Sequence, residues 1–255
     1  MTGPLHQQSE AWVKTIAEDK GYAAIDAAAF RRMIKRMPLY AFYTSLSRRV
    51  RPGQTVLEAG CGWGLSSFAL ASIGVNVTAI DISEKLIVDL RRVQAELGGA
   101  YAAHLQLCVW DIFRLREIGK TYDAVCSDGT YEHFLDISDR RKILENVRAI
   151  LKPGGLFIVA VPNLHNPFFR LVVDRRMPAM QYFRAADLAR ELCEGGMTVV
   201  ETGFSFVNPG FAQWVKAPWM IAAIRAADAV FRFLPRPLKK IFAAHVYCVA
   251  SLPLQ

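Results

Sequence analysis

The sequence predicts an α/β fold built on a mostly parallel sheet that is covered by helices on both faces. Three observations carry this. From residue 51 onward, short apolar runs alternate with longer segments of helical period; the runs are apolar nearly throughout, as strands buried on both faces are; and three glycines sit between the first run and the first helix of the series. Strands alternating with helices are joined by right-handed crossovers, which makes neighbouring strands run parallel. At 255 residues the chain is long enough to bury a substantial core in one domain. A hydrophobic content of 53% with 21% charged residues excludes wholesale disorder.

Residues 1–50 read as a helical cap, with Trp12, Val13 and Ile16, then Phe30, Ile34 and Met37, at helical spacing until Pro38 breaks the pattern. The turn at Arg51-Pro52-Gly53 opens a strand through Val56 and Leu57, and the helix after the glycines stops at Gly74. A second strand over 75–80 ends at Asp81. Ser83 caps the next helix, which carries Leu86, Leu90, Val93 and Leu97 and is expected to stop at Gly98-Gly99. Strands over 104–110 and 122–128 follow, then a helix over 137–151, a turn at Lys152-Pro153-Gly154-Gly155 and a strand over 156–161. After an irregular, proline-punctuated stretch (163–183) come a helix over 185–193, a strand over 197–202, an apolar-rich segment (204–242) and a closing strand over 245–251. No repeat or low-complexity linker interrupts the series. A single domain is therefore expected: cap 1–50, core 51–202, helical insertion 204–242 and final strand 243–255.

Thirty-one basic against twenty-three acidic side chains give a net charge of +8, and the excess is local. Residues 27–57 carry seven basic side chains and no acid, and residues 202–255 carry six and one, so a mildly acidic body bears two basic segments. Such segments suit either a solvated face or attraction to an anionic partner: a membrane surface, an acidic substrate or nucleic acid. The five cysteines, Cys61, Cys108, Cys126, Cys193 and Cys248, lie far apart with no CxxC pair and no histidine at zinc-ligand spacing, so neither a disulfide framework nor a metal is expected. No basic-then-apolar leader opens the chain and no uncharged run reaches the length of a membrane span, which makes a cytoplasmic location the expectation.

The run Glu58-Ala59-Gly60-Cys61-Gly62-Trp63-Gly64 puts its glycines where open α/β sheets bind nucleotide-like ligands. The dinucleotide pattern G-x-G-x-x-G fails, because its third glycine falls on Leu65 counted from Gly60 and on Ser67 counted from Gly62. Glu58, just ahead of the loop, would repel a pyrophosphate and suits a cation such as an amino group or a sulfonium. Asp81 ends the second strand, where an acid can accept from a ribose diol, and Asp111, after Trp110, is placed for an adenine amino group. Ser127 and Asp128, followed by Gly129, close the fourth. In a parallel sheet all of these strand ends face one crevice. Each acid taken singly reads equally well as a helix cap; four in succession behind a glycine loop point to a positively charged nucleoside.

The runs VLEAGCGWG (56–64), VTAIDIS (77–83), VWDIF (109–113), YDAVCSDGTYEHF (122–134) and LKPGGLFIVAVPN (151–163) together resemble the class I, seven-β-strand S-adenosylmethionine-dependent methyltransferases, and the core is also similar to their ubiquinone-biosynthesis branch. The resemblance covers residues 50–202 and the last strand. It implies a three-layer α/β/α sandwich whose seventh strand runs antiparallel, S-adenosylmethionine as cofactor and S-adenosylhomocysteine as product. The implied donor contacts are Glu58, Gly60, Cys61, Gly62, Trp63, Gly64, Asp81, Ile82, Trp110, Asp111, Ile112, Ser127, Asp128 and Gly129. Trp63 stands where the family commonly has a small polar residue, a departure that bears on the amino-acid end of the cofactor.

Transfer of a methyl group from a sulfonium is an in-line displacement, so the protein's tasks are alignment and exclusion of water. An oxygen or nitrogen acceptor must also lose a proton. In Asp128-Gly129-Thr130-Tyr131-Glu132-His133-Phe134, His133 is read as the only histidine on the catalytic edge near the donor and is the candidate base, with Tyr131 and Glu132 orienting it or the acceptor. The alternative is that His133 packs against the adenosine. His165 is a second candidate, and a thiol acceptor needs no base at all.

The acceptor is expected to be a small molecule. Tyr22, Tyr40, Tyr43, Phe168, Phe169 and Tyr182 supply aromatic surface for a flat or apolar one, or else belong to the core. Residues 219–234 have helical period with a broad apolar side and a narrow stripe of Arg225, Asp228 and Arg232; with Trp214 before and Arg236-Pro237-Leu238-Lys239-Lys240 after, 212–242 resembles a helix at an anionic membrane surface, and equally a lid or a homodimer helix. Donor chemistry other than methyl transfer stays open. A specific nucleic-acid partner is not expected, since neither a recognition module nor an Asn-Pro-Pro-Tyr motif is present.

Overall fold

The computed structural model describes residues 27–167, 180–205, 226, 230–231 and 233–254. Its strands are β1 (Thr55–Ala59), β2 (Asn76–Asp81), β3 (Leu105–Val109), β4 (Tyr122–Asp128), β5 (Leu151–Pro162), β6 (Thr198–Ser205) and β7 (His245–Ser251). They form one sheet in the order β3-β2-β1-β4-β5-β7-β6. The pairs from β3 to β5 are parallel, and β7 is antiparallel to both of its neighbours. The order reverses direction between β1 and β4, and that switch leaves a crevice at the carboxyl ends of the strands.

The helices are α1 (Ala27–Ile34), α2 (Ala41–Ser47), α3 (Leu65–Ala71), α4 (Glu84–Leu97), α5 (Gly99–His104), α6 (Ile137–Ile150), α7 (Ala185–Glu194) and α8 (Arg236–Phe242). Two apolar cores flank the sheet. One gathers Phe30, Phe42, Leu46, Phe68, Ile87 and Leu90 with Val56, Cys126, Ile158 and Tyr247; the other gathers Ile143, Leu144, Leu188 and Leu192 with Leu57, Val125, Phe157 and Val246. Alternating strand residues therefore enter opposite cores, which is why the strands read as apolar throughout. Phe30 meets Phe68 edge-on at 4.8 Å between ring centroids, a contact of about 0.5–1.5 kcal/mol beyond its area that fastens α1 to α3.

Local signals are met at most boundaries. Ser83 Oγ accepts from the Leu86 N–H, capping α4 as expected, and Asp136 does the same for α6 through the Ser138 N–H at 2.8 Å. The expected stop at Gly98-Gly99 is met: α4 ends at Leu97 with Gly98, at φ +59°, as its cap, and the short helix α5 starts anew at Gly99. One expectation is corrected. The Lys152–Gly155 turn is absorbed into β5, whose partner β4 shifts register between Tyr122 and Ala124 to accommodate it.

The N-terminal cap is pinned to the far end of the sheet. Arg49 forms an ion pair of 2.5 Å with Glu201 of β6, Tyr247 of β7 donates to the same carboxylate, and the Phe42 N–H donates to Ser205 Oγ at 3.2 Å. The expected helix containing Trp12, Val13 and Ile16, and most of 204–242, lie outside the described residues. Among the described residues no helix is long and apolar enough to cross a membrane.

Candidate active site

Every acid that the sequence places at a strand end is tied to the element that follows or faces it. Glu58, 3% exposed, accepts at Oε2 from the backbone N–H of Ser67 (3.0 Å) and from its hydroxyl, in the first turn of α3. Asp81 accepts at Oδ2 from the Gly62 N–H (3.0 Å) and at Oδ1 from the Ser83 N–H (2.9 Å). Asp111 accepts at Oδ1 from the Phe113 N–H (2.9 Å), capping the turn Ile112–Ile118. The capping role and the ligand role are thus not alternatives: a carboxylate has about four lone-pair sites, and one or two backbone bonds fix its direction while leaving acceptors over.

The loop carries the same logic. Gly60 has φ +68° and a Cβ there would overlap the Thr130 side chain, whose hydroxyl donates to the Gly60 carbonyl at 3.1 Å. Gly62, at φ +48°, has nothing within 4 Å of its would-be Cβ, so its open side is bare backbone available to a ligand. Cys61 is buried, its N–H donating to the Ile80 carbonyl at 2.8 Å, and burial holds its thiol well above the ordinary range; it is a structural residue of the loop. Gly64 opens α3 in a left-handed conformation. Trp63 is half-buried in the loop, and Ile82, 43% exposed beside Asp81, and partly buried Ile112 offer apolar surface next to the acids. The indole N–H of Trp110 donates to the Arg114 carbonyl at 3.0 Å, which holds the ring at the end of β3.

Electrostatically the crevice gathers buried acids. Burial pushes the Glu58 carboxyl up to about 8, outweighing its bonds from Ser67, with Asp128 and Asp81 adding to the rise. Burial also raises Asp81 and Asp128. Glu132, 3% exposed beside Gly129, is pushed up to about 8 by burial and then by Asp128. A site of this kind favours a ligand that brings positive charge.

Of the residues after β4, only some reach the crevice. Tyr131 is fully buried: its hydroxyl donates to Glu191 at 2.6 Å, and Arg140 pairs with the same carboxylate at 2.7 Å. That is a correction, since a phenol spent on α7 orients neither His133 nor an acceptor. His133 closes the turn Tyr131–His133, half-buried, its N–H donating to the Thr130 carbonyl at 3.1 Å. The Glu132 Oε2 and the buried Ser127 Oγ have no hydrogen-bond partner among the described residues. His165 sits in the turn after β5, its N–H bonded to Asn163 Oδ1 at 3.1 Å, with burial and then the nearby Lys240 and Arg184 lowering its pKa.

One residue was missed by the sequence reading. Because β7 is antiparallel, its first residue, His245, lies on the carboxyl edge opposite Pro162 and Ser205, and its Nδ1 stands 3.8 Å from Asp128 Oδ1. Among the described residues the carboxyl edge therefore carries three histidines, His133, His165 and His245. The signal was available: a last strand expected to run backwards puts its start, not its end, at the crevice.

Residues 56–155 match the model of a family described as a methyltransferase domain. The ubiquinone biosynthesis O-methyltransferase of Xanthomonas axonopodis pv. citri is 33% identical over 176 residues, spanning 64% of this chain and 71% of that protein. The enzyme of the same description from Rhizobium leguminosarum bv. trifolii is 26% identical over 198 residues, 71% of this chain and 76% of its own. In fold, the crystal structure of the glycopeptide N-methyltransferase MtfA with S-adenosylmethionine superposes with a TM-score of 0.60 at 17% identity, over 84% of this chain and 94% of that one. Fold and site define a methyltransferase that uses S-adenosylmethionine. The chain belongs to the class I S-adenosylmethionine-dependent methyltransferases, in their ubiquinone-type branch. Its own residues fit that cofactor: a glycine whose Cβ would fill the cradle, a buried carboxyl short of a cation, and two strand-end acids held by backbone N–H groups.

Proposed function

We propose that this chain methylates an oxygen of a small aromatic or apolar acceptor. The observation that carries the reading is the reach of the likeness: relatives described as O-methyltransferases align over as many as 198 residues, 71% of this chain, against the shorter stretch 56–155 matched by the family model. S-adenosylmethionine, when bound, supplies a methyl group on a sulfonium whose departure as a thioether drives the transfer. In this reading Glu58 and the backbone of Gly60 to Gly64 hold the charged amino-acid end, Asp81 the ribose, and Asp111 with Ile82 and Ile112 the adenine. Ser127, Asp128 and Gly129 form the floor beneath the reacting centre, and water exclusion comes from the N-terminal cap. A hydroxyl acceptor also needs a base, for which the edge offers His133 and His245.

The test is incubation with methyl-labelled donor and a catechol, with the product's labelled atom located by mass spectrometry and NMR. Label on oxygen is expected. Label on nitrogen, sulfur or carbon only, or donor binding with no transfer to any acceptor, overturns the reading; the last outcome favours other chemistry with the bound donor, for which the fold is no obstacle, since the [4+2]-cyclase SpnF superposes with a TM-score of 0.59 at 16% identity over 84% of this chain and 81% of that one.

We further infer that the protein acts in the cytoplasm and meets an anionic membrane surface through 212–242. The support is at the described end of that segment: Leu238, Ile241 and Phe242 of α8 are exposed beside Arg236, Lys239 and Lys240, and Phe233 is 74% exposed. Flotation with anionic vesicles checks this; no binding in low salt defeats it.

A further inference from the structure

Two titratable residues from distant parts of the chain meet at the carboxyl edge of the sheet. Asp128 closes β4 and His245 opens β7. Side-chain alternation puts both on the face that Glu58 uses: Val56, Cys126 and Tyr247, each two residues away along its strand, pack in the core beneath α1 to α5, whereas Leu57, Val125 and Val246 pack in the opposite one. Glu58, Asp128 and His245 thus make a row along the carboxyl edge, from the donor loop on β1 across β4 and past β5 to β7. Beside His245 the register partners Pro162 and Ser205 are uncharged, and Ser205 holds α2 over this end by accepting from Phe42. Among the described residues, the titratable groups on the surrounding elements include Asp128 of β4, Glu132 of the turn after it, Tyr43 of α2, and the Arg49–Glu201 pair with Tyr247 between α2, β6 and β7; Asp128 acts on His245 directly. At the same end of β4, Glu132 Oε2 is buried without a hydrogen-bond partner among the described residues, the mark of a place that receives a polar ligand.

We propose that His245 is the general base that takes the proton of the acceptor hydroxyl, with Asp128 as the positioning residue that orients its ring and stabilises the imidazolium. The inference rests on the oxygen-methylation reading and deepens it by moving the base from His133 to His245. Burial lowers the pKa of His245 from its usual value, so the ring is neutral and able to accept at pH 7, while Asp128 works in the opposite sense. With Nδ1 facing Asp128, the imidazole takes up the hydroxyl hydrogen. The oxygen uses a lone pair for the new bond to carbon, the electron pair of the broken carbon–sulfur bond stays on sulfur, and the imidazolium afterwards returns its proton to water. The dyad follows the logic of carboxylate-oriented histidines generally.

The test compares His245→Ala and the bulkier His245→Gln with the native protein by calorimetry, turnover and histidine NMR. Donor affinity should stay within about threefold, while kcat for catechol falls about a hundredfold or more, as loss of a general base does. The deficit should shrink to below about tenfold with nitrocatechol, already ionised at pH 8, or with added imidazole, because neither then needs the missing nitrogen. Asp128→Asn should lower the pKa read from the His245 ring resonance, a measurement that needs no turnover. Catechol turnover within about threefold of native in both His245 variants overturns the proposal, as does an equal loss for ionised and un-ionised acceptors; His133→Ala alone losing turnover, with nitrocatechol rescue, hands the role back to His133. A native protein that binds donor but methylates neither phenol on oxygen sinks the function reading itself, and the assignment of the base falls with it.

Discussion

The Glu58 carboxylate accepts from both the backbone N–H and the hydroxyl of Ser67, so the last turn-in of β1 is clamped to the first turn of α3 across the glycine loop. The clamp sets the loop's width. It also holds a carboxyl in the crevice wall at a helix N-terminus, and even so burial lifts its pKa to about 8.

Donor binding should therefore be linked to a proton. At pH 7 Glu58 is mostly protonated without donor, and a cation placed beside it favours the ionised form, so binding releases up to one proton. Affinity should rise with pH by as much as about tenfold per unit until about pH 8 and then level. Calorimetry at pH 6.5 in two buffers of different ionisation enthalpy measures the release; none, with flat affinity from pH 6 to 9, contradicts it. Stability follows the same sign. Glu58 and Glu132 have folded pKa values of about 8, above the ordinary 4.5, so their contribution is full below about pH 4.5 and is lost as pH rises to about 8. Saturating donor should offset the part due to Glu58.

Two glycines of the loop should fail differently. Gly60→Ala drives a Cβ into Thr130 at a left-handed φ and should cost about 1–3 kcal/mol or more of stability. Gly62→Ala meets open space, so its cost is the left-handed backbone alone, about 1–2 kcal/mol, while donor affinity falls by at least about tenfold because the new methyl stands where the donor approaches. Urea unfolding and calorimetry of both variants check the contrast; unchanged affinity in Gly62→Ala removes the loop from the donor site.

Arg140 is the strut beneath the turn that follows β4. Its guanidinium binds Glu191 at 2.7 Å and the carbonyls of Phe134 (2.6 Å) and Leu135 (3.0 Å), with Tyr131 on the same carboxylate. Arg140→Ala leaves Glu191 buried without its partner and should destabilise by about 3–5 kcal/mol in denaturant titration. Tyr131→Phe removes one bond and should cost about 1 kcal/mol with donor affinity kept. A large loss of donor affinity in Tyr131→Phe would show that the phenol does more than brace the turn.

Much of the local geometry at the strand ends was legible because it is written in contiguous stretches. Glu58, the glycines and Ser67 lie within one strand, loop and helix turn, and Asp81 with Ser83 within another. Their spacing alone brings the carboxylates to the N–H groups that hold them. Tyr131 was misjudged for the opposite reason: whether a phenol three residues past a strand faces the crevice or α7 depends on Glu191 and Arg140, which no local pattern places.

What the sequence determined by itself is the order of the elements, the apolar faces that make them a sheet between two helical layers, and the donor loop with its acids, all set by short-range periodicity and backbone freedom. The tertiary structure decided which side chains meet across strands. Hydrogen bonding of β7 between β5 and β6, in reverse direction, is a long-range pairing that carries His245 to within 3.8 Å of Asp128, and the equally long-range bond to Glu191 holds Tyr131 in the core.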